Sequence, residues 1–112
     1  MFSNVTDYTF TEEVLEASSP VLVNFWAPWC GLCRLISPVL ASLEANSDNY
    51  VKIVGVNADD NLKLASTYRL KTLPTLLLFE QGRLIHRIDS FHGRDDLKTS
   101  LEGMMRQLIY SV

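Results

Sequence analysis

Val21-Leu22-Val23-Asn24-Phe25-Trp26-Ala27-Pro28-Trp29-Cys30-Gly31-Leu32-Cys33 carries both of the chain's cysteines and a change of secondary structure. Its first seven residues are almost continuously apolar, as expected of a strand buried on both faces. Pro28 closes that strand. Cys30 and Cys33 then stand three apart at the mouth of a predicted helix. Side chains at helical i and i+3 have Cβ atoms about 5–6 Å apart, and a disulfide needs a Cα separation of about 4.4–6.8 Å. A small local adjustment can therefore make or break the bond. A pair closing so short a loop removes little chain entropy and is a poor structural staple. The residues point instead to a dithiol that cycles. Half a zinc site is the rival reading. Tetrahedral structural zinc needs four ligands, and the only histidines, His86 and His92, lie far along the chain and read as surface residues. No metal is assigned.

The rest of the composition narrows the function further. The 112 residues suit one domain spanning 1–112. With 47% apolar and 21% charged residues, the chain can build a core and does not resemble a disordered one. The net charge of −3, with no basic run, gives no footing for nucleic acid. No apolar run approaches the roughly 20 residues of a membrane span. Met1–Asp7 lacks the basic and apolar segments of a secretory signal. With Met1 as the start, a cytoplasmic location is expected. Thiols are kept reduced there, and a CxxC pair reads as catalytic or metal-binding.

Working outward, strands and helices alternate. Residues 2–6 form a weak first strand. Asp7 or Thr9 is placed to cap a helix over about 8–18, with Phe10, Val14 and Leu15 on one face. The helix opened by the cysteines should run from about Cys30 to Ala45 with an apolar stripe of Leu35, Ile36, Val39, Leu40 and Leu43, and Pro38 inside it should kink it. Residues 51–56 make a second central strand. Asp59 or Asp60 suits the start of a short helix reaching Tyr68. Residues 75–79 make a third strand, and Gln81-Gly82 turns it into an antiparallel partner over 83–89. A last amphipathic helix spans about 94–110, with Leu97, Leu101, Met104, Met105 and Leu108. This pattern implies α/β architecture: a central mixed sheet with helices on both faces.

Several separate stretches, Val21–Cys33, Pro38, Val56-Asn57-Ala58-Asp59, Leu73-Pro74-Thr75 and Gly82, together resemble thioredoxin, over about Thr6 to Leu108. The resemblance implies a thioredoxin fold and a thiol–disulfide oxidoreductase that reduces protein disulfides. It implies an upstream reductase as electron donor, a monomer, and no cofactor beyond the Cys30–Cys33 disulfide. By residue, it implies Cys30 as the exposed nucleophile, Cys33 as the buried resolving thiol and Pro74 as a cis-proline. Trp29, Leu73, Pro74, Ser90 and Phe91 match positions that line the substrate groove. Gly31 would let a partner backbone approach closely.

Three positions depart from that family's pattern. Asn24 stands where the family usually buries an aspartate. Gly55 stands where it often has a lysine. Both charges are absent together, and one left alone would lack compensation. Leu32 replaces a proline whose fixed φ preorganises the first helical turn. Gly31, Leu32 and Asn24 are therefore the expected tuning positions. Loss of the proline leads us to expect a potential less reducing than about −270 mV. Ser90 also replaces a groove glycine. Two rival functions share these residues: an oxidase or isomerase of the same fold, and a non-enzymatic binding module whose docking the thiols gate.

Overall fold

The computed structural model describes residues 2–46 and 50–110. Five strands alternate with helices: β1 (Ser3–Asn4), β2 (Val21–Trp26), α1 (Gly31–Asn46), β3 (Lys52–Asn57), α2 (Leu62–Thr67), β4 (Thr75–Glu80), β5 (Arg83–Ile88) and α3 (Arg94–Tyr110). The expected α/β architecture holds. The sheet order is β1-β3-β2-β4-β5. β3 runs parallel to β1 and β2, whereas β4 is antiparallel to β2, and β5 to β4. The sequence placed antiparallel pairing only at the closing hairpin. The β2–β4 pair is a second case, and the length of α2 explains it. Its six residues span about 9 Å as a helix, too short to carry the chain back along a strand of about 20 Å. β4 therefore starts beside the end of β2, with Thr75 opposite Phe25.

Strand alternation divides the interior into two layers. Leu22, Ile53, Leu76 and Leu78 face α1 and α3, meeting Ile36, Leu40, Leu97 and Leu101. Val21, Val23, Phe25, Val54, Val56, Leu77 and Phe79 face the opposite side and pack against Phe10, Val14 and Leu64. Phe79 sits between two rings there, with centroids 5.6 Å from both Phe10 and Tyr68. Burial pushes the Tyr68 phenol above its usual range. The hairpin is the two-residue type expected: Glu80 pairs with Arg83, and Gln81 and Gly82 both have positive φ, 51° and 79°.

Three local expectations fail. In place of a regular helix over 8–18, the chain forms a π-helical turn at Thr11–Leu15. Thr6 opens the segment: its Oγ1 accepts the Tyr8 N–H at 3.2 Å, while Thr9 Oγ1 accepts the Thr6 N–H at 2.9 Å. The Glu16 N–H reaches five residues back to Thr11 O, the π-type bond. In α1, Ile36 and Leu40 are buried, but Leu35 is 49% exposed and drops out of the stripe. Cys33 takes its place, because 33, 36 and 40 are the positions that share the sheet-facing side.

The capping residues are also redistributed. Asp7 does not cap the first turn; its Oδ1 accepts the Leu64 N–H at 3.0 Å in the first turn of α2. Its own N–H donates to Asn61 Oδ1 at 2.8 Å, and Asn61 Nδ2 donates to Asn57 O at 2.9 Å. Asp59 and Asp60 lie instead in a turn, their N–H groups donating to Asn57 Oδ1 and Asn57 O respectively. Asp7→Ala should therefore cost about 1 kcal/mol, read as a lower urea midpoint with unchanged slope, while Asp7→Asn retains most of it.

Candidate active site

The sulfurs meet where β2 gives way to α1. Cys30 and Cys33 form a disulfide with their Cα atoms 5.3 Å apart. Pro28 breaks the strand, and the Cys30 N–H returns to Ala27 O at 3.1 Å. That turn sets Cys30 immediately before Gly31, the first residue of α1, facing the unpaired amides and positive dipole end of the helix. The Cys33 N–H donates to Cys30 Sγ at 3.1 Å. The expected contrast between an exposed Cys30 and a buried Cys33 is not seen: each residue is 5% exposed. Ala27 clusters with both cysteines, and Trp26 and Leu73 pack against that cluster.

Trp29 projects beside the disulfide and is 68% exposed. Its Nε1 donates to Asp59 Oδ2 at 2.9 Å. Asp59 had suggested only a helix start, so this is a site contact that residue type alone did not reveal. The recognisable signal was its place in the Val56–Asp59 stretch. Arg34, which no sequence motif marks, donates from Nη1 to Pro28 O at 2.6 Å and braces the turn. Among the described residues a Cβ on Gly31 would meet only Arg34 Nη2, at 3.9 Å, an ordinary van der Waals contact that does not demand glycine there. Leu32 is 37% exposed on the first turn of α1.

The opposite wall is the loop before β4. The Leu73–Pro74 bond is cis, Leu73 packs against the disulfide cluster, and Pro74 is buried. Thr75 Oγ1 donates to Thr72 O at 2.8 Å, and Thr72 Oγ1 to Asp89 O at 3.2 Å. Arg87 fastens this wall, donating to Tyr68 O, Arg69 O and Asp89 Oδ2 at 2.6, 3.0 and 2.8 Å. Ser90 is exposed next to Asp89. Phe91 is half-buried and packs against the layer formed by α1 and α3.

Beneath the disulfide, Asn24 pairs with Gly55 on β3. Asn24 is 6% exposed, and its Oδ1 has no hydrogen-bond donor among the described residues. The Trp26 indole lies across Gly55, where an added Cβ would stand 3.2 Å from its Nε1. A cavity of about 670 Å³ is lined by Asn24, Trp26, Cys33 and Gly55, among others.

The thioredoxin family model matches residues 1–103. The chain belongs to the thioredoxin family. It is 48% identical over 89 residues to thioredoxin 1 of Synechococcus elongatus, covering 80% of each chain. It is 40% identical over 107 residues to a thioredoxin of Porphyra purpurea, covering 96% of each. A thioredoxin of Rickettsia bellii matches at 43% over 97 residues, 87% of this chain and 92% of that one. The protein is thus a thiol–disulfide oxidoreductase with a CxxC pair, and its family works on protein disulfides with a reductase as partner. Among the described residues no helix is long and apolar enough to cross a membrane.

Proposed function

We propose that this thioredoxin, a cytoplasmic monomer, reduces disulfides of client proteins with Cys30 as attacking thiolate and Cys33 as resolving thiol. The observation that carries the assignment is the Cys33 N–H donated to Cys30 Sγ at 3.1 Å, at the head of α1. A hydrogen bond and a helix N-terminus both favour an anion, so negative charge settles on Cys30 in preference to Cys33.

The Cys30 thiolate attacks a client disulfide, joins one client sulfur and expels the other as a thiolate. The Cys33 thiolate then attacks Cys30 Sγ. The Cys30–Cys33 bond forms, the mixed disulfide breaks, and the client leaves with both sulfurs reduced. An upstream reductase returns two electrons to the disulfide, and no bound cofactor takes part. Trp29, Leu73, Pro74 and Ser90 form the client groove. Main-chain groups beside Pro74 pair with an extended client segment, strand to strand, and Gly31 leaves room for that backbone. Leu32 and Asn24 tune the exchange.

The test is turnover of a model protein disulfide, run with a chemical reductant and then with candidate reductases. Activity with the reductant, together with a measured potential well below the about −120 mV of strong oxidants, supports reduction. A potential near that value would make the protein an oxidase.

Position 24 gives a separate expectation. An amide does not accept the Cys33 proton, so wild-type turnover should rise with pH as free thiolate becomes available. Asn24→Asp introduces a buried carboxyl whose own pKa desolvation raises. It should lift turnover near neutrality by up to about tenfold and add an inflection to the pH profile. An unchanged rate and profile would remove position 24 from the mechanism.

A further inference from the structure

A cleft of about 940 Å³ runs between α1 and α3 and lies outside the steps above. Its floor is apolar. Val39, Leu43 and Tyr50 are half-buried there, and Leu101 and Met105 close the bottom. Helix periodicity continues this floor toward the active site. Leu32, Leu35, Val39 and Leu43 stand at i, i+3, i+7 and i+11 on one side of α1, next to the sheet-facing stripe of Cys33, Ile36 and Leu40. Leu32 and Leu35, both exposed, thus join the cleft to the head of the helix where Cys30 sits. Leu35, which drops out of the buried stripe, finds its place in this track.

The rim of the cleft is cationic. Arg94 and Lys98, one turn apart on α3, and Arg106 line it and are exposed. Among the described residues none of the three has an ion pair or a side-chain hydrogen bond. Two acids share the rim. Asp95 lies in the first turn of α3, where the helix dipole favours its charge. Glu102 stands one turn from both Lys98 and Arg106. The cleft therefore keeps a net positive charge, on a chain whose total is −3.

We propose that this cleft docks an acidic amphipathic helix of the client protein, on the same chain as the disulfide that Cys30 attacks. Two helices with an apolar seam between them form a groove into which a third packs its own apolar stripe. Arg94 to Arg106 extend over about 18 Å, enough to meet three turns of such a helix. Carboxylates flanking the client's stripe would answer Arg94, Lys98 and Arg106, whereas a basic helix would be repelled by them. The apolar track puts the helix and the target disulfide on one face. A client held at both gains from effective concentration and needs no tighter contact at the sulfurs. The inference rests on the client cycle proposed above and adds a preference among its substrates.

The test mixes reduced protein in stopped flow with peptides whose one cysteine is capped by an aromatic thiol. The released thiolate absorbs visible light. One peptide stops near that cysteine. Two others continue through a flexible linker into an amphipathic helix, with glutamates flanking the leucines in one and lysines in the other. The glutamate helix should raise the second-order rate about tenfold or more over the short peptide, and the lysine helix should give less than about half that gain. Arg94→Glu combined with Lys98→Glu should abolish the gain and favour the lysine helix. Both residues are exposed, and glutamate near a helix N-terminus is favourable, so this variant should fold and attack the short peptide at the wild-type rate. In the oxidised protein the free glutamate helix should shift the Val39, Leu43 and Met105 methyl NMR signals saturably, a readout that needs no exchange.

Equal gains from the two helices would overturn the proposal. So would a glutamate-helix gain that survives the double charge reversal, or methyl shifts confined to other residues. Methyl shifts that depend on protein concentration without any peptide would assign the cleft to a second copy of the chain instead. Release from the short peptide with no helix effect would remove the docking site alone. No release from the short peptide would overturn the reductase reading itself, and this inference with it.

Discussion

Cys33→Ser should yield a protein that attacks disulfides once and then cannot let go. Serine keeps the size of the side chain but is too weak a nucleophile to displace the client. Cys30 stays at the head of α1, where the helix amides still favour its thiolate. Mixed with client extract under mild oxidation, the variant should accumulate covalent adducts that dithiothreitol releases and that intact-mass analysis places on Cys30. Multiple turnover should fall by more than about a thousandfold, as expected when one member of a cooperating pair is removed. Cys30→Ser should lose turnover to the same degree yet form no adducts. Adducts appearing with Cys30→Ser and not with Cys33→Ser would reverse the two roles. Complexes in the Cys33→Ser protein that persist without a covalent link would favour a docking module.

The largest expected loss of stability lies on the other side of the sheet. Phe79 is 2% exposed, and its ring meets Phe10 and Tyr68 edge-on, each at 80°. Phe79→Ala should cost about 3–5 kcal/mol, combining lost transfer energy with a cavity that the flanking strands cannot close. Folded proteins of this size have only about 5–15 kcal/mol in hand, so a measurable unfolded fraction near body temperature is expected. Phe79→Leu, which keeps most of the volume, should cost roughly 1.5 kcal/mol or less. Urea unfolding followed by circular dichroism checks both. A loss below about 1 kcal/mol for the alanine variant would mean that the π-helical turn at Thr11–Leu15 collapses to fill the space.

The fold was legible because its signals are local and repeated. A continuous apolar run marked β2, a proline its end, and Gln81-Gly82 the hairpin. Periodicity located α1 and α3. Connectivity was harder to read. Nothing in residues 75–79 says which way they run beside β2; the direction follows from the short reach of α2. Caps misled for a related reason. Asp7 has the chemistry of a local cap, but its partner, Leu64, is distant in sequence and adjacent only after folding.

At the site, the CxxC pair and the Leu-Pro-Thr stretch were visible as motifs, and the structure joins them through Leu73 against the disulfide. The bracing contacts of Asp59, Arg34 and Arg87 were not visible. Each depends on where a long or charged side chain ends, and composition does not specify that. The resemblance places Phe91 at the groove; that its ring also packs on the α1–α3 layer was not legible.

The sheet separates two sets of interior side chains, with the sulfurs, Asn24 and the cavity all lying toward α1. The opposite set, centred on Phe10, Tyr68 and Phe79, meets the disulfide cluster through Leu73, which packs against both. Away from Leu73, heat tolerance and electron-transfer behaviour can therefore be adjusted independently in laboratory evolution. Libraries confined to the aromatic side should yield hardier proteins with unaltered kinetics, whereas those aimed at the helix-covered side will seldom change one property alone.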